Sequence, residues 1–533
     1  MTVVRLSASL PRWGLAGAIV ACAVGAVDAV VGLAVSSPDF GQSAPVSGTS
    51  APEPRGPAVP IERFFEATRE DDLVAAAALR DIAPAWKNGL TPMFIDMARM
   101  MPGPRGGRPG GNADEAGSGL AGASDPDAGG DSARRGFAGA GDSPGMPDRG
   151  SSIRRRLLSF LERQTGKRFG DDLDAWRQWM WSLPYDPHPE YATLKAAIYG
   201  QIDPAMRTFF PPGVRASIRL DEIDWGGVTV NGIPPLRAPK VVRAADARYL
   251  GDSNVVFGIE VNGEARAYAK RILGWHEMAI DRIGGVDLTI VYCTLCGTVI
   301  PYESSIGGRQ FRFGTSGLLY RSNKLMFDED SRSLWSTLEG IPVAGSLVGS
   351  GLALRFRPVV TTTWKEWRTK YPSTTVLSID TGFKRDYAEG AAYRDYFSTD
   401  RLMFQVSQKS TQLPNKAEVL VARLDDGQGG RVPVAINVRF LRSRAVYPFV
   451  VGSERYLVVT SPAGANQLFQ IAADIAPQAA SDRLTDRTGG VWRVTDVGLV
   501  SERNPQKLGP RIAAHRAFWF GWYAQFPSTR LIR

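Results

Sequence analysis

The sequence predicts an α+β protein in which an N-terminal anchor and a helical region precede two tandem β-rich units, the second a degenerate copy of the first. Three observations support this. In residues 61–101 and 153–213, apolar and charged residues alternate at helical spacing. From residue 214 onward, short apolar runs are broken by Gly, Asn and Pro, which is typical of strands and turns. A Trp-x-x-Trp segment occurs twice in this second half, which indicates an internal repeat.

The first 35 residues predict an export signal or a membrane anchor. Arg5 and Arg12 precede an apolar stretch, residues 13–35, that only Asp28 interrupts. Basic residues before the stretch favour an N-terminus in the cytoplasm. We therefore expect the rest of the chain on the periplasmic or extracellular side, anchored in the cytoplasmic membrane. The residues up to Cys22 also resemble a lipoprotein cleavage site, so cleavage and lipidation stay open as alternatives to a retained anchor.

The composition of the N-terminal half predicts two helical segments and two disordered segments. Residues 36–60 and 102–152 are rich in Pro, Gly, Ser and Ala, and predict a linker and a low-complexity insert, both disordered. Residues 61–101 and 153–213 predict two helical segments. The formal net charge is +9, from 63 basic and 54 acidic residues, but the basic residues form no stripe interleaved with aromatic side chains. We therefore expect no nucleic-acid partner.

The repeat sets the boundaries of the β-rich units. Trp364 and Trp367 recur as Trp519 and Trp522, and each pair is followed at the same distance by Pro-Ser-Thr. Residues three apart lie on one face of a helix, so each pair predicts a short helix with both indoles on one side. The first unit is predicted at 214–384, a connection at 385–415 and the second unit at 416–533.

A Cys-x-x-Cys-Gly segment in the first unit is where we predict chemistry. Cys293 and Cys296 are two of the three cysteines, and the third lies in the anchor. When the two units are aligned on the following glycine, Thr460 and Ala463 stand opposite the two cysteines. The second unit is also shorter where the first has residues 313–328. The cysteines and that segment are therefore predicted to form one site.

Two thiolates supply half of a tetrahedral metal site. The nearest imidazole in sequence is that of His276, followed by Glu277, and Met326 lies in the segment that the second unit lacks. Such ligands favour a soft transition metal, copper before zinc or iron. A zinc-protease helix is excluded because no histidine stands four residues after His276. The leading hypothesis is copper handling or electron transfer at a site formed by Cys293, Cys296, His276, Met326 and Glu277.

Two other functions stay open. A thiol–disulfide oxidoreductase would use Cys293 and Cys296 without a metal, through an exposed thiol of lowered pKa. A non-catalytic binding module would hold the same cysteines as a structural disulfide. One bridge across so small a loop removes little chain entropy, which argues against a structural role. The sequence specifies neither the protein or redox partner nor whether the chain is an enzyme.

Several motifs resemble those of the domain of unknown function 3179 family of exported prokaryotic proteins. They are Ile223-Asp-Trp-Gly-Gly-Val, Arg271-Ile-Leu-Gly-Trp-His-Glu, Tyr292-Cys-Thr-Leu-Cys-Gly-Thr, Phe313-Gly-Thr-Ser-Gly-Leu-Leu-Tyr-Arg-Ser-Asn-Lys-Leu-Met and Thr363-Trp-Lys-Glu-Trp. The resemblance covers about residues 215–400 and extends more weakly to the C-terminus. All five predicted ligands fall on positions of the family pattern, and the resemblance implies no established reaction.

Overall fold

Six α-helices precede the first strand in the described part of the chain. A computed structural model describes residues 58–101, 149–472, 478–480, 483–486 and 488–533, with the backbone alone for 149 and 478–480. The helices are α1 (Ile61–Glu66), α2 (Asp72–Ile82), α3 (Thr91–Met100), α4 (Arg149–Thr165), α5 (Leu173–Ser182) and α6 (Tyr191–Ile202). Within the described residues, no helix is long and apolar enough to cross a membrane. The predicted signal or anchor, residues 1–35, lies outside them.

The bounds of the two predicted helical segments stay predictions. Helix α4 begins at residue 149, four residues before the predicted start of the second segment at residue 153, and residues 102–148 lie outside the described part. The carboxylate of Asp172 caps α5 by accepting a hydrogen bond from the backbone N–H of Ala175 at 2.9 Å. Phe94, Phe160 and Trp176 are buried in the shared core, so the apolar faces of these helices pack against one another.

The first β-rich unit follows the helices. It consists of β1 (Ile223–Trp225), β2 (Leu236–Arg237), β3 (Val241–Arg243), β4 (Val255–Val261), β5 (Glu264–Ala269), α7 (Lys270–His276), β6 (Met278–Ile283), β7 (Val286–Cys293), β8 (Thr298–Glu303), β9 (Ser305–Ile306), β10 (Arg309–Gln310), β11 (Phe313–Tyr320), β12 (Asn323–Asp328), β13 (Leu334–Ser336), β14 (Pro342–Ala344), β15 (Val360–Thr363), α8 (Trp364–Lys370) and β16 (Thr375–Leu377). A short helix, α9 (Arg394–Ser398), lies in the connection between the units.

The second β-rich unit completes the chain. It consists of β17 (Glu418–Asp425), β18 (Arg431–Asn437), α10 (Val438–Arg442), β19 (Val446–Val451), β20 (Glu454–Thr460), β21 (Asn466–Gln470), β22 (Gln478–Ala480), β23 (Arg483–Thr485), β24 (Val491–Val494), β25 (Gly498–Ser501), β26 (Leu508–Ile512), β27 (His515–Phe518), α11 (Trp519–Gln525) and β28 (Arg530–Ile532). Helices together with several sheets confirm the predicted α+β class.

The two units share one pattern of strand pairing. The order is β15-β4-β5-β16 in the first and β27-β17-β18-β28 in the second, with β3 added beyond β16. In each, two antiparallel pairs are followed by one parallel pair. Helices α8 and α11, the two predicted Trp-x-x-Trp helices, lead from the first strand of each order to the last. Antiparallel meanders, β6-β7-β8 and β19-β20-β21, follow in corresponding places.

Hydrogen bonds of tryptophan side chains repeat between the units as well. The second tryptophan of each Trp-x-x-Trp helix donates its indole N–H to the threonine of Pro-Ser-Thr, and an earlier tryptophan donates to an aspartate. These bonds join Trp367 to Thr374 (2.9 Å), Trp522 to Thr529 (2.6 Å), Trp335 to Asp328 (3.0 Å) and Trp492 to Asp486 (2.9 Å). The duplication itself stays a prediction, and these shared contacts support it.

Five charged side chains are buried where the helices meet β1. Asp224 of β1 forms ion pairs with Arg99 of α3 at 2.9 Å and with Arg177 of α5 at 2.5 Å. Lys195 of α6 pairs with Asp96 of α3 at 2.9 Å. Burial raises the pKa of Asp224, but the two guanidinium groups outweigh it and lower that pKa. Removing Asp224 would leave the guanidinium group of Arg177 in the interior without this counter-ion and would deprive Arg99 of its closer partner.

Asp224→Asn is expected to lower the free energy of unfolding by about 3–5 kcal/mol, because two buried guanidinium groups lose their shared partner. Urea unfolding at neutral pH measures this change. In the exposed pair Arg282–Asp287, Asp287→Asn should change little. The contribution of Asp224 is present above its unfolded-state pKa of about 3.9 and is lost as the pH falls through its lower folded-state pKa. A loss no larger than that of the control would contradict the prediction.

Candidate functional site

The cysteine turn joins β7 and β8, the last two strands of the first meander. Strand β7 ends at Cys293, and the chain reverses through Gly297, whose φ is 61°, into β8. The backbone N–H of Cys296 donates to the carbonyl of Cys293 at 3.2 Å. This tight turn brings the two sulfur atoms to 3.0 Å, and both cysteines are free thiols.

The end of the β11–β12 hairpin lies directly against this turn. Arg321 and Ser322 form its two-residue connection with φ values of 48° and 62°. Such turns favour Asn-Gly, and other residues are strained there by about 1–2 kcal/mol each. From this left-handed conformation, both residues make contacts with neighbouring parts of the site. Arg321 pairs with the buried carboxylate of Glu222, and the carbonyl of Ser322 accepts from the thiol of Cys296 at 3.1 Å. The predicted link between the cysteines and residues 313–328 therefore has a direct contact.

Helix α11 of the second unit closes the opposite side. The backbone N–H of Phe518 donates to the carbonyl of Cys296 at 2.7 Å. A methyl group placed on Gly521 would lie 3.1 Å from Cβ and 3.4 Å from Sγ of Cys296, so glycine permits this close approach. The side chain of Asn323 donates to the carbonyl of Gly521 at 3.0 Å. The cysteine turn is thus held between the two β-rich units.

Aromatic residues of the connection cover the remaining face. Tyr393, Tyr396 and Phe404 belong to the same buried cluster as the cysteines, and the hydroxyl of Tyr396 donates to the carbonyl of Leu295 at 2.8 Å. Cys293 is 3% exposed and Cys296 is fully buried. Sequence reasoning treated residues 385–415 only as a connection and missed these tyrosines. The density of aromatic residues between 387 and 404 was the available signal.

A buried ion pair stands beside the thiols. The carboxylate of Glu277 lies 3.1 Å from the ammonium of Lys324, which also donates to the backbone carbonyl of Glu277 at 3.2 Å. The hydroxyl of Tyr393 donates to the other carboxylate oxygen at 3.1 Å. Glu277 ends helix α7 in the left-handed conformation with φ of 53°, and this conformation turns the chain from α7 into β6.

The two thiols have pKa values shifted in opposite directions. Burial raises the pKa of Cys293, but hydrogen bonds to its ionised sulfur from the Cys296 side chain and from the backbone N–H groups of Lys324 and Cys296 together outweigh burial, and the net shift is downward. Burial, the neighbouring Cys293 and the charge of Glu277 all raise the pKa of Cys296. One proton shared between two close groups in a low-dielectric interior produces such a division. Cys293 is therefore the thiol that ionises first.

The structure places the other predicted ligands differently. The Nδ1 of His276 contacts the carbonyl of Pro234 at 2.9 Å, and its Nε2 contacts the hydroxyl of Tyr387 at 2.6 Å. A carbonyl only accepts, so Nδ1 carries the proton and Nε2 accepts from the tyrosine. Burial lowers the pKa of His276 to about 4, which keeps it neutral. Met326 is buried in an apolar cluster with Trp335, separate from that of the cysteines.

The predicted ligands are therefore only partly brought together. Cys293, Cys296 and Glu277 share one buried region, whereas His276 and Met326 use their polar or polarisable atoms elsewhere. Across residues 58–101 and 149–533, apart from the few left undescribed, no group of three or more His, Cys, Asp or Glu side chains is arranged to hold a metal ion. Copper as a cofactor stays a prediction from the sequence.

Lys324→Met is expected to lower the free energy of unfolding by about 3–5 kcal/mol, because it leaves the carboxylate of Glu277 buried without its counter-ion. The double variant Lys324→Met with Glu277→Gln should recover most of the loss, since no buried charge remains. Denaturant unfolding of the single and double variants measures both effects. Arg282→Met, in an exposed ion pair, is the matched control. A double variant as unstable as the single one would show that the isolated charge is not the cause.

Comparison with known proteins identifies a family and no activity. The family model described as "Protein of unknown function (DUF3179)" matches residues 230–529, more than half of the 533 residues. The match spans both β-rich units, including the cysteine turn and helix α11. No curated protein and no solved structure matches the chain significantly.

Proposed function

Since the chain belongs to the family of proteins of unknown function DUF3179, whose description states no reaction, we propose a function from the site itself: thiol–disulfide exchange at Cys293 and Cys296. The observation that carries the proposal is the pair of free thiols at 3.0 Å. Their opposite pKa directions support it, because exchange needs one thiolate to attack and one thiol to follow.

The exchange proceeds in two balanced steps. The thiolate of Cys293 attacks one sulfur of a substrate disulfide, forming a mixed disulfide and releasing the other substrate sulfur as a thiolate. Cys296 then loses its proton and attacks the sulfur of Cys293, which forms the Cys293–Cys296 disulfide and releases the second substrate thiolate. Two electrons pass from the cysteine pair to the substrate, and the reverse sequence oxidises a substrate dithiol.

The surrounding side chains support each step. The charge of Glu277 raises the pKa of both thiols, and we assign this carboxylate as the acceptor of the Cys296 proton in the second step. Lys324 and Tyr393 hold this carboxylate in place. The sequence-based expectation of an exposed thiol is wrong, because Tyr393 and Tyr396 pack in the same buried cluster as Cys293, which is only 3% exposed. Exchange should therefore favour small disulfides or require these side chains to move.

The separation of the two sulfur atoms argues for exchange over metal binding. Two thiolates on a tetrahedral zinc ion, with Zn–S bonds of about 2.3 Å, lie roughly 3.8 Å apart, which is wider than the 3.0 Å in the turn. The imidazole of His276 is also engaged by Pro234 and Tyr387. Copper handling or electron transfer at this pair is the hypothesis that the metal measurement below tests.

The N-terminal segment is expected to determine where in the cell the exchange takes place. We propose that residues 1–35 direct the β-rich units to an oxidising compartment, where a cysteine pair can cycle between dithiol and disulfide. The basic residues before the apolar stretch support this orientation. A membrane surface and an unidentified protein or redox partner are the expected partners.

Single cysteine variants, both in a Cys22→Ser background, test the exchange. With bis(2-hydroxyethyl) disulfide as oxidant, Cys296→Ser is expected to accumulate a stable mixed disulfide at Cys293, because the second thiol is missing. Cys293→Ser should react much more slowly, since burial and the charge of Glu277 still raise the pKa of Cys296 in this variant. The protein with both cysteines should form the internal disulfide. Mass spectrometry after acid quenching distinguishes the three products.

Two results would count against the proposal. Equal rates of mixed-disulfide formation in the two single variants would show that Cys293 is not the preferred attacking thiol. The second result is one equivalent of copper in protein with both cysteines and none in the Cys293→Ser/Cys296→Ser variant. It would favour metal binding over exchange as the function of the pair. Metal analysis of protein purified without added ions provides this second measurement.

A further inference from the structure

The two β-rich units meet a second time, at an open cleft. Helix α8 of the first unit faces the turn that follows β20 in the second, and a cleft of about 200 Å³ lies between them. The thiol site has the same components with the units exchanged, namely helix α11 and the turn after β7. The cleft residues are Val360, Thr362, Glu366, Trp367, Lys370, Val459, Ser461, Pro462, Ala465, Gln467 and Val494.

Corresponding positions explain why one interface is closed and the other open. The identical spacing of the Trp-x-x-Trp segments places Glu366 where Gly521 stands, and Lys370 where Gln525 stands. At the thiol site Gly521 and Gln525 contact the end of the β11–β12 hairpin, the latter by donating to the carbonyl of Tyr320 at 3.1 Å. Strands β11 and β12 have eight and six residues, whereas β22 and β23, which precede the matching tryptophan, have three each.

The walls of the cleft suit a branched aliphatic group. Five of its residues are aliphatic or proline, contributed by β15, β20, the turn after β20, and β24. The volume matches a molecule of roughly ten non-hydrogen atoms, and apolar walls with few polar groups are typical of small-molecule sites. Among the described residues, no aliphatic side chain fills the space.

Two opposite charges stand on the wall that α8 provides. Glu366 and Lys370 are one helical turn apart. One carboxylate oxygen of Glu366 accepts from the hydroxyl of Thr362 at 2.8 Å, and a carboxylate offers a second oxygen. The ammonium of Lys370 lies 3.4 Å from Asp496, which Arg511 approaches more closely at 3.0 Å. The ammonium of Lys370 has three N–H donors, so it can also donate to a ligand.

A buried amide adds a third polar group. The Nε2 of Gln467 in β21 is buried and has no hydrogen-bond acceptor among the described residues. An unsatisfied buried donor is costly, and a ligand oxygen would satisfy it after a small rotation of the side chain. The cleft therefore offers an acceptor for a cation, donors for an anion and apolar walls between them.

We propose that this cleft binds a small apolar amino acid as its zwitterion, with the ammonium at Glu366, the carboxylate at Lys370 and Gln467, and the aliphatic side chain against the valines. The inference is independent of thiol exchange, because neither cysteine lines the cleft. Equal and opposite charges on the wall disfavour a ligand of net charge.

Isothermal titration of the full-length protein with three related molecules tests the inference. Leucine carries both charged groups, 4-methylpentanoate lacks the ammonium, and isopentylamine lacks the carboxylate. Leucine is expected to bind at least about tenfold more tightly than either of the others, because each charge-assisted contact contributes about that factor.

Variants of the wall should separate the two contacts. Glu366→Gln should weaken leucine about tenfold and leave 4-methylpentanoate unchanged, while Lys370→Gln should weaken leucine and leave isopentylamine unchanged. Lys365→Gln, on the same helix but outside the cleft, is the matched control and should bind as the unchanged protein does. Val494→Phe should fill the cleft and abolish binding, with the melting temperature showing that each variant is folded.

Three outcomes would overturn the inference. If leucine shows no saturable binding, the cleft is not an amino-acid site. If the three molecules bind with equal affinity, the site does not recognise the two charges of a zwitterion. Undiminished binding by folded Val494→Phe would place the ligand elsewhere. None of these outcomes bears on the mixed-disulfide experiment, so the two proposals fail independently.

Discussion

The contact between the cysteine turn of the first unit and helix α11 of the second is the constraint on which the site depends. The hydrogen bond from Phe518 to the carbonyl of Cys296, together with the glycine at 521, lets backbone approach backbone closely enough to bury both sulfur atoms. Burial disfavours two thiolates at once, so the pair divides into one thiol of lowered pKa and one of raised pKa. The docking of two units thereby sets the chemistry of a turn that belongs to only one of them.

Buried charges tie the helical region to the same site. Strand β1 carries Asp224, paired with two arginines of the helices, and is itself paired with β11, the strand that leads to the hairpin turn. Glu222, just before β1, holds Arg321 in that turn. Charges in a low-dielectric interior tolerate little displacement, because each must keep its partner. The helices therefore help to fix the strained turn whose carbonyl accepts from Cys296, although none of them contributes a residue to the thiol pair.

Local spacing in the sequence predicts local geometry. The Trp-x-x-Trp helices and the association of residues 313–328 with the cysteines follow from spacing and from comparison of the two copies. The partners of His276 do not follow from it. Tyr387 lies 111 residues away in a segment without helical or strand periodicity, and only the strand order brings the two side chains together. A ligand set inferred from neighbours in sequence therefore overestimates which side chains meet in space.

The two interfaces show how one framework can serve different chemistry. The backbone hydrogen bonds that seat the helices are the same, from Trp364 to the carbonyl of Asn254 and from Trp519 to the carbonyl of Ala417. What differs is the residue at the corresponding position of each helix. A glycine allows a thiol to pack against the helix, and any side chain there would meet Cys296. A glutamate in its place requires space and a partner, and the cleft supplies the space. The thiol site thus depends on the lack of a side chain at Gly521 as well as on the two cysteines.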